Sequence, residues 1–298
     1  MRLFLILLML AQPAFAEIRV ATWNSGLSRK GPGLLLRDIQ KGEAEVEAAR
    51  ATIAALDADV LLLTNVDYDL DLVALRALDL GYPHLFARRP NTGMQTGRDM
   101  DGDGRIGGPR DAQGYGWFSG QGGMAVLSRF PIGEGRDFSA FLWRDLPGAL
   151  MSGDDLQRLS TTGHWEVPIH APGGTLTLLA FHATPPVFEP RNAPRNHDET
   201  AFWTALIDGR LPFAPPEGPF VILGDANADP DRGDGIPDAI RALLAHPKVQ
   251  DLHSEPTARF DVGTLRVDYV LPSSDLDVAA AGMGEGGGTH RPVWIDLR

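Results

Sequence analysis

The sequence holds 298 residues, 43% of them hydrophobic, with no cysteine and a formal net charge of −12. Without disulfides, stability must come from a large apolar core, which a chain of this length can supply. An acidic surface repels polyanions and counts against a protein that coats DNA, although local arginines and bound cations leave a nuclease open.

The chain opens with Met1-Arg2, an apolar stretch from Leu3 to Leu10, and Ala14-Phe15-Ala16 before Glu17. A basic start, a short apolar centre and an A-x-A site predict a secretory signal peptide over residues 1–16, against an uncleaved anchor or a buried first strand. The mature protein then starts near Glu17, is exported to the periplasm or secreted, and forms a single domain over 17–298. No later stretch reaches the ~18 apolar residues of a membrane helix.

Apolar, β-rich runs follow in order: Ile18 to Thr22, Val60 to Val66, Met124 to Leu127, Trp165 to Ile169, Thr175 to His182, Phe220 to Leu223, Val267 to Leu271 and Val293 to Leu297. The stretch from Trp165 to His182 reads as a hairpin turned at Ala171-Pro172-Gly173-Gly174. Val46, Ala49, Ile53 and Leu56 form one helical stripe, and Asp198 to Ile207 and Pro237 to Ala245 are two further helices. Strands interleaved with helices and short hairpins predict a layered α/β protein with its helices outside its sheets.

The stretch from Pro90 to Gly123 holds eleven glycines and few apolar residues, and is too long for an ordinary turn. Inside it, Asp99-Met100-Asp101-Gly102-Asp103-Gly104 has the acid spacing and glycine of a calcium loop, but Arg110 stands where such loops carry their last glutamate. Asp99, Asp101 and Asp103 therefore form either a structural Ca²⁺ loop or a solvated, glycine-rich turn.

Polar residues stand at the ends of several of the apolar runs. The run ending Gly224-Asp225-Ala226-Asn227 delivers an acid and then an amide on one side of the chain. Asp225 can hold Mg²⁺ or polarise a water, and Asn227 can orient that water or bind a phosphate oxygen; alone, the segment equally suits a turn. Asp268, in Arg266-Val267-Asp268-Tyr269, is a charge inside an apolar strand and needs a partner. That partner is His290, whose tautomer it would fix, or a purely structural arginine such as Arg266 or Arg291. His182 closes its strand where it can meet a phosphate.

Taken with Thr22-Trp23-Asn24 and His290-Arg291-Pro292-Val293, these segments resemble the endonuclease/exonuclease/phosphatase superfamily in order and spacing. The resemblance implies a four-layer sandwich: two mixed β-sheets face to face, helices outside, the site at one end. It also implies Mg²⁺- or Mn²⁺-assisted phosphoester hydrolysis by in-line water attack. Asn24 would sit at the metal or phosphate, Asp225 and Asn227 would handle the water or leaving group, His182 would contact phosphate, and Asp268 would orient His290.

Two positions depart from the superfamily pattern. Asn65 stands where relatives carry a metal-binding glutamate, and Thr289 where they tend to have aspartate before the last histidine. Asp67 and Asp69 share a strand side with Asn65, and Asp67, alone or with Asp69, is the expected replacement ligand; otherwise both are exposed strand-end acids. The alternative to an enzyme is a sandwich that has lost its metal ligands and only binds. For an enzyme, the substrate classes are nucleic acid, along a groove of Arg88, Arg89, Arg98, Arg105 and Arg110, a phospholipid headgroup or a small phosphate ester.

Overall fold

The computed structural model describes residues 17–151, 155–286 and 288–298. The expected signal peptide lies outside the described residues. In chain order the elements are β1 (Ile18–Leu27), α1 (Leu34–Lys41), α2 (Ala44–Leu56), β2 (Val60–Val66), α3 (Val73–Ala77), β3 (His84–Phe86), β4 (Gly123–Ser128), β5 (Arg136–Asp137), β6 (Gly163–Ala171) and β7 (Gly174–His182). There follow α4 (Asn192–Ile207), β8 (Phe220–Asp225), α5 (Asp238–Leu244), β9 (Ala258–Phe260), β10 (Gly263–Leu265), β11 (Asp268–Pro272), β12 (Val278–Met283) and β13 (Val293–Leu297).

All eight apolar runs become strands, and the hairpin turns where Ala171 pairs with Gly174. One large sheet has the order β12-β13-β1-β2-β4-β3 and the other β11-β8-β7-β6-β5, with β9 and β10 paired separately. Each is mixed, with one parallel pair at its centre: β1 with β2, and β7 with β8. The period of two in the central strands explains why they are apolar throughout. In β2, Val60 and Leu62 enter the core between the sheets with Trp165, Leu178 and Val221, while Leu61 and Leu63 face the helices with Leu35, Val46 and Ile53. In β7, Leu178 and Ala180 point inward, while Leu179 and Phe181 pack on Phe202, Trp203 and Leu206 of α4. The result is the expected sandwich of two mixed sheets with helices on both outer faces.

Helix α4 begins at Asn192, six residues before the apolar pattern suggested. Its first turns bury Arg195, Asn196, Asp198 and Glu199, so no apolar period marks them. Among the described residues no helix is long and apolar enough to cross a membrane. Phe138, Phe141 and Trp143 are buried in the core behind the second sheet.

Candidate active site

The parallel pairs bring four strand ends to one end of the sandwich. β1 and β2 run side by side, so Asn24 and Asn65 emerge together. In the facing sheet His182 pairs in register with Asp225, and Asp225 with Asp268. Gly224 makes this possible: its φ is +144°, and a Cβ there would meet the Phe181 carbonyl oxygen at 1.9 Å.

Asp225 is the hub. Its Oδ2 accepts the Asn24 amide at 2.8 Å across the two sheets, and it lies 3.6 Å from His182 Nε2 and 4.0 Å from His290 Nδ1. Its Oδ1 accepts the backbone N–H of Asn227 at 2.9 Å. The turn and site readings of this segment coexist: Asn227 adopts a φ of +48°, donates its side-chain amide to the Ala183 carbonyl at 3.0 Å, and lines the cleft.

His290 Nδ1 lies 2.9 Å from Asp268 Oδ2. The arginines that competed for Asp268 are engaged elsewhere, Arg266 with Asp251 and Arg291 with Glu285. Burial pulls the imidazole of His290 down, but the facing carboxylates of Asp268 and Asp225 outweigh it and carry it up to about 9. Burial raises Asp268 and lowers His182, which Asp225 opposes only in part. The two carboxylates thus favour the protonated imidazole, and with Nδ1 committed to Asp268 the other ring nitrogen is left for the cleft. Phe260 sits edge-on to its ring at 5.6 Å, and the Trp23 indole donates to its carbonyl at 3.1 Å.

Thr257 gave no signal in the sequence. Its hydroxyl donates to Asp268 Oδ2 at 2.8 Å and accepts the N–H groups of Val267 and Asp268, each at 3.0 Å. Asn196 is a second such residue, donating from α4 to the carbonyls of Thr184 and Ala226, both at 2.7 Å. Glu199 is a third, accepting the Thr161 and Thr184 N–H groups. Buried polar residues that hold loops carry no periodic pattern.

A divalent cation fits part of this donor set. One ligand atom each from Asp225, Asp268 and His290 lies within 4.8 Å of the others, and Asp268 Oδ1 is buried without a hydrogen-bond partner. His290 Nδ1 is turned to Asp268, so oxygens would carry the site, Asp225 and the free oxygen of Asp268, while Asn24 presents its amide N–H to Asp225 rather than an oxygen to the ion. That set suits a hard ion such as Mg²⁺ or Mn²⁺.

Asn65 lines the same two cavities as Asn24 and His290, of about 690 and 590 Å³. It stands where the β2 register shifts, with a φ of +55°, a conformation that asparagine tolerates better than most side chains. The structure does not bring Asp67 to this cleft. Its carboxylate accepts the N–H groups of Arg29 and Gly122, both at 2.9 Å, and the residue lines a separate cavity. Asp69 accepts the N–H groups of Val73 and Ala74 at the start of α3.

Asp99, Asp101 and Asp103 converge within 4.8 Å away from the cleft, and each also accepts backbone N–H groups of its own turn. Of the five arginines expected along a nucleic-acid groove, Arg110 lines the cavity of about 590 Å³; Arg88, Arg89, Arg98 and Arg105 line neither cavity.

The sequence profile of the Endonuclease/Exonuclease/phosphatase family matches residues 21–290. No curated protein matches the chain. Three solved structures with the same fold illustrate the range. An endonuclease/exonuclease/phosphatase from Beutenbergia cavernae has a TM-score of 0.61 and 20% identity, over 95% of this chain and 71% of that one. A family protein from Leptotrichia buccalis gives 0.58 and 15%, over 94% and 99%. The sphingomyelinase C of Streptomyces griseocarneus gives 0.54 and 16%, over 95% and 100%.

Proposed function

Because this chain belongs to the Endonuclease/Exonuclease/phosphatase family, we propose that it is an exported, divalent-metal-dependent phosphoesterase that hydrolyses its substrate by in-line attack of water. One observation carries the reading: Asn24, His182, Asp225, Asn227, Asp268 and His290 meet from both sheets at one cleft, with His290 held by Asp268 at 2.9 Å. On this reading the protein is a single domain of residues 17–298, released to the periplasm or the exterior after loss of residues 1–16.

Asp225, held by Asn24 through Oδ2 and by the Asn227 backbone through Oδ1, accepts the proton of the attacking water. His290 offers Nε2–H to the phosphoryl oxygens, where negative charge accumulates as the bond to the leaving group opens. Asp268 keeps that proton in place by occupying Nδ1. Asn227 and His182 contact the phosphate. A Mg²⁺ or Mn²⁺ ion held by Asp225 and the free oxygen of Asp268, with Asn24 and Asn65 beside it, would supply Lewis-acid stabilisation of the phosphoryl charge.

Asn65 and Thr289 favour a second reading, a binding protein with the same fold. Both are neutral and both line the cleft beside Asn24, so fewer charges face a cation there. Hydrolysis of bis-p-nitrophenyl phosphate by the chain from Glu17, with Mg²⁺, Mn²⁺ or Ca²⁺ against EDTA, separates the two. Metal-dependent turnover that His290→Ala abolishes supports the enzyme. A folded protein that turns over neither this diester nor a phosphomonoester with any ion leaves the binding protein.

A further inference from the structure

On the reading that this cleft hydrolyses phosphoesters, we propose that Phe188 and Tyr115 form an aromatic clamp for the non-phosphate part of the substrate. The substrate class is then a small phosphodiester bearing a planar group the size of a nucleobase.

The cavity of about 590 Å³ that contains Asn24, His182, Asn227 and His290 is also lined by Phe188 and Tyr115. Phe188 is 85% exposed and Tyr115 50%, so both rings stand in water at the site. Phe188 also has a φ of +76°, a left-handed backbone that bulky side chains rarely adopt. Such a conformation persists only where the surroundings impose it, and it clusters at functional sites.

The residues on both sides of Phe188 are held in place. Asn192 donates its side-chain amide to the Val187 carbonyl at 2.6 Å, and Glu189 receives Arg191 at 2.9 Å and Arg110 at 3.4 Å. Arg191 reaches on to the carbonyls of Met100 and Arg110 at 3.2 and 2.8 Å. The segment bearing Phe188 is thereby cross-linked to the glycine-rich loop bearing Tyr115.

The rest of the lining decides the class. Arg110 is the one arginine among the described residues of both cavities, no lysine lines them, and Glu189 already pairs with that arginine. A polynucleotide backbone needs cations for successive phosphates, and this cleft does not offer them. The rest of the lining is largely neutral, with Thr92, Gln121, Thr161, Thr162 and Asn192 among it. Neutral hydrogen-bonding groups beside exposed aromatic faces suit the edge and face of a polar planar ring. A lipid surface would use the apolar rim but not the polar lining.

The test compares thymidine 5′-(p-nitrophenyl phosphate) with methyl p-nitrophenyl phosphate. Water adds to phosphorus and p-nitrophenolate leaves in both, so the esters differ only in the group retained. The protein is expected to prefer the thymidine ester in kcat/KM. Phe188→Ala and Tyr115→Ala should each reduce that preference about 10-fold, the scale of one ring stacked on an aromatic side chain, and Phe188→Trp should retain it. A preference that neither alanine variant alters overturns the clamp. So does a loss in Phe188→Ala confined to hydrolysis of phosphatidylcholine vesicles, which would assign the rim to a lipid surface. If neither ester is turned over, the phosphoesterase reading fails by itself. Calorimetric binding of thymidine 5′-phosphate against methyl phosphate then tests the clamp alone, and equal binding of the two overturns it.

Discussion

Thr257 and Asp268 hold each other in both directions: the threonine hydroxyl accepts the aspartate N–H at 3.0 Å and donates to its Oδ2 at 2.8 Å. The same Oδ2 meets His290, and the Thr257 carbonyl accepts the N–H of Arg291 at 2.8 Å. One threonine therefore fixes the carboxylate and also the segment that carries the histidine. Thr257→Val would leave the N–H groups of Val267 and Asp268 buried without an acceptor. We expect a loss of about 1–3 kcal/mol of stability in urea denaturation, with Thr257→Ser retaining most of it; a valine variant as stable as the parent would contradict this.

Asp268→Asn removes the charge that keeps His290 protonated and the acceptor that fixes its tautomer. Turnover of bis-p-nitrophenyl phosphate should fall by roughly 10²–10⁴, the range of a general acid–base contribution, while circular dichroism reports an intact fold. Undiminished turnover would remove the Asp268–His290 pair from the mechanism.

Glu199 offers a pH test away from the chemistry. Burial pushes its carboxyl up to about 7 from an ordinary 4.5, against the downward pull of Arg195. Its folded value lies above its unfolded one, so its contribution to stability is complete below pH 4.5 and is lost as pH rises through about 7. Buried His164 runs the other way: burial lowers it to about 4, so its contribution is present above 6.5 and is lost as pH falls through about 4. Glu199→Gln should therefore lessen the fall in stability between pH 5 and pH 8, by on the order of 3 kcal/mol at most. Urea denaturation at those two pH values checks it, and an unaltered difference would refute it.

Asn65→Asp would place a carboxylate beside Asn24 at a left-handed position that aspartate also tolerates. If the cation sits there, added ligand charge should lower the half-saturating Mn²⁺ concentration by roughly an order of magnitude. Titration calorimetry with Mn²⁺ reads this directly, and an unshifted affinity would move the ion away from Asn65.

For the acidic turn at Asp99, Asp101 and Asp103, limited proteolysis with and without calcium is the discriminating measurement. A cation held there should slow cleavage between Pro90 and Gly123. Equal cleavage rates would make it a solvated turn.

Much of this protein was legible in the sequence because strand ends are. An apolar run with period two must be buried, and a polar residue inside it or at its end needs a partner, so Asn24, His182, Asp225 and Asp268 could be picked out from their own neighbourhoods. Other features had no local signature. Helix α1 follows Gly31-Pro32-Gly33 with one short amphipathic turn after another, and β12 is Val-Ala-Ala-Ala-Gly-Met, weak in β propensity and held by its pairing with β13.

The sequence by itself determined the layers and the candidate acids, because burial and periodicity are local properties of the chain. Only the tertiary structure decided which acid serves which task. Asp67 has the right spacing from Asn65, yet the register shift in β2 and the N–H groups of Arg29 and Gly122 take it out of the cleft. Asp268 had three possible partners, and the crossing of β11 with the segment before β13 selected His290. Thr257, Asn196, Glu199 and Phe188 act through contacts with residues distant in sequence, and hydrogen bonds and backbone strain of that kind exist only once the sheets have packed.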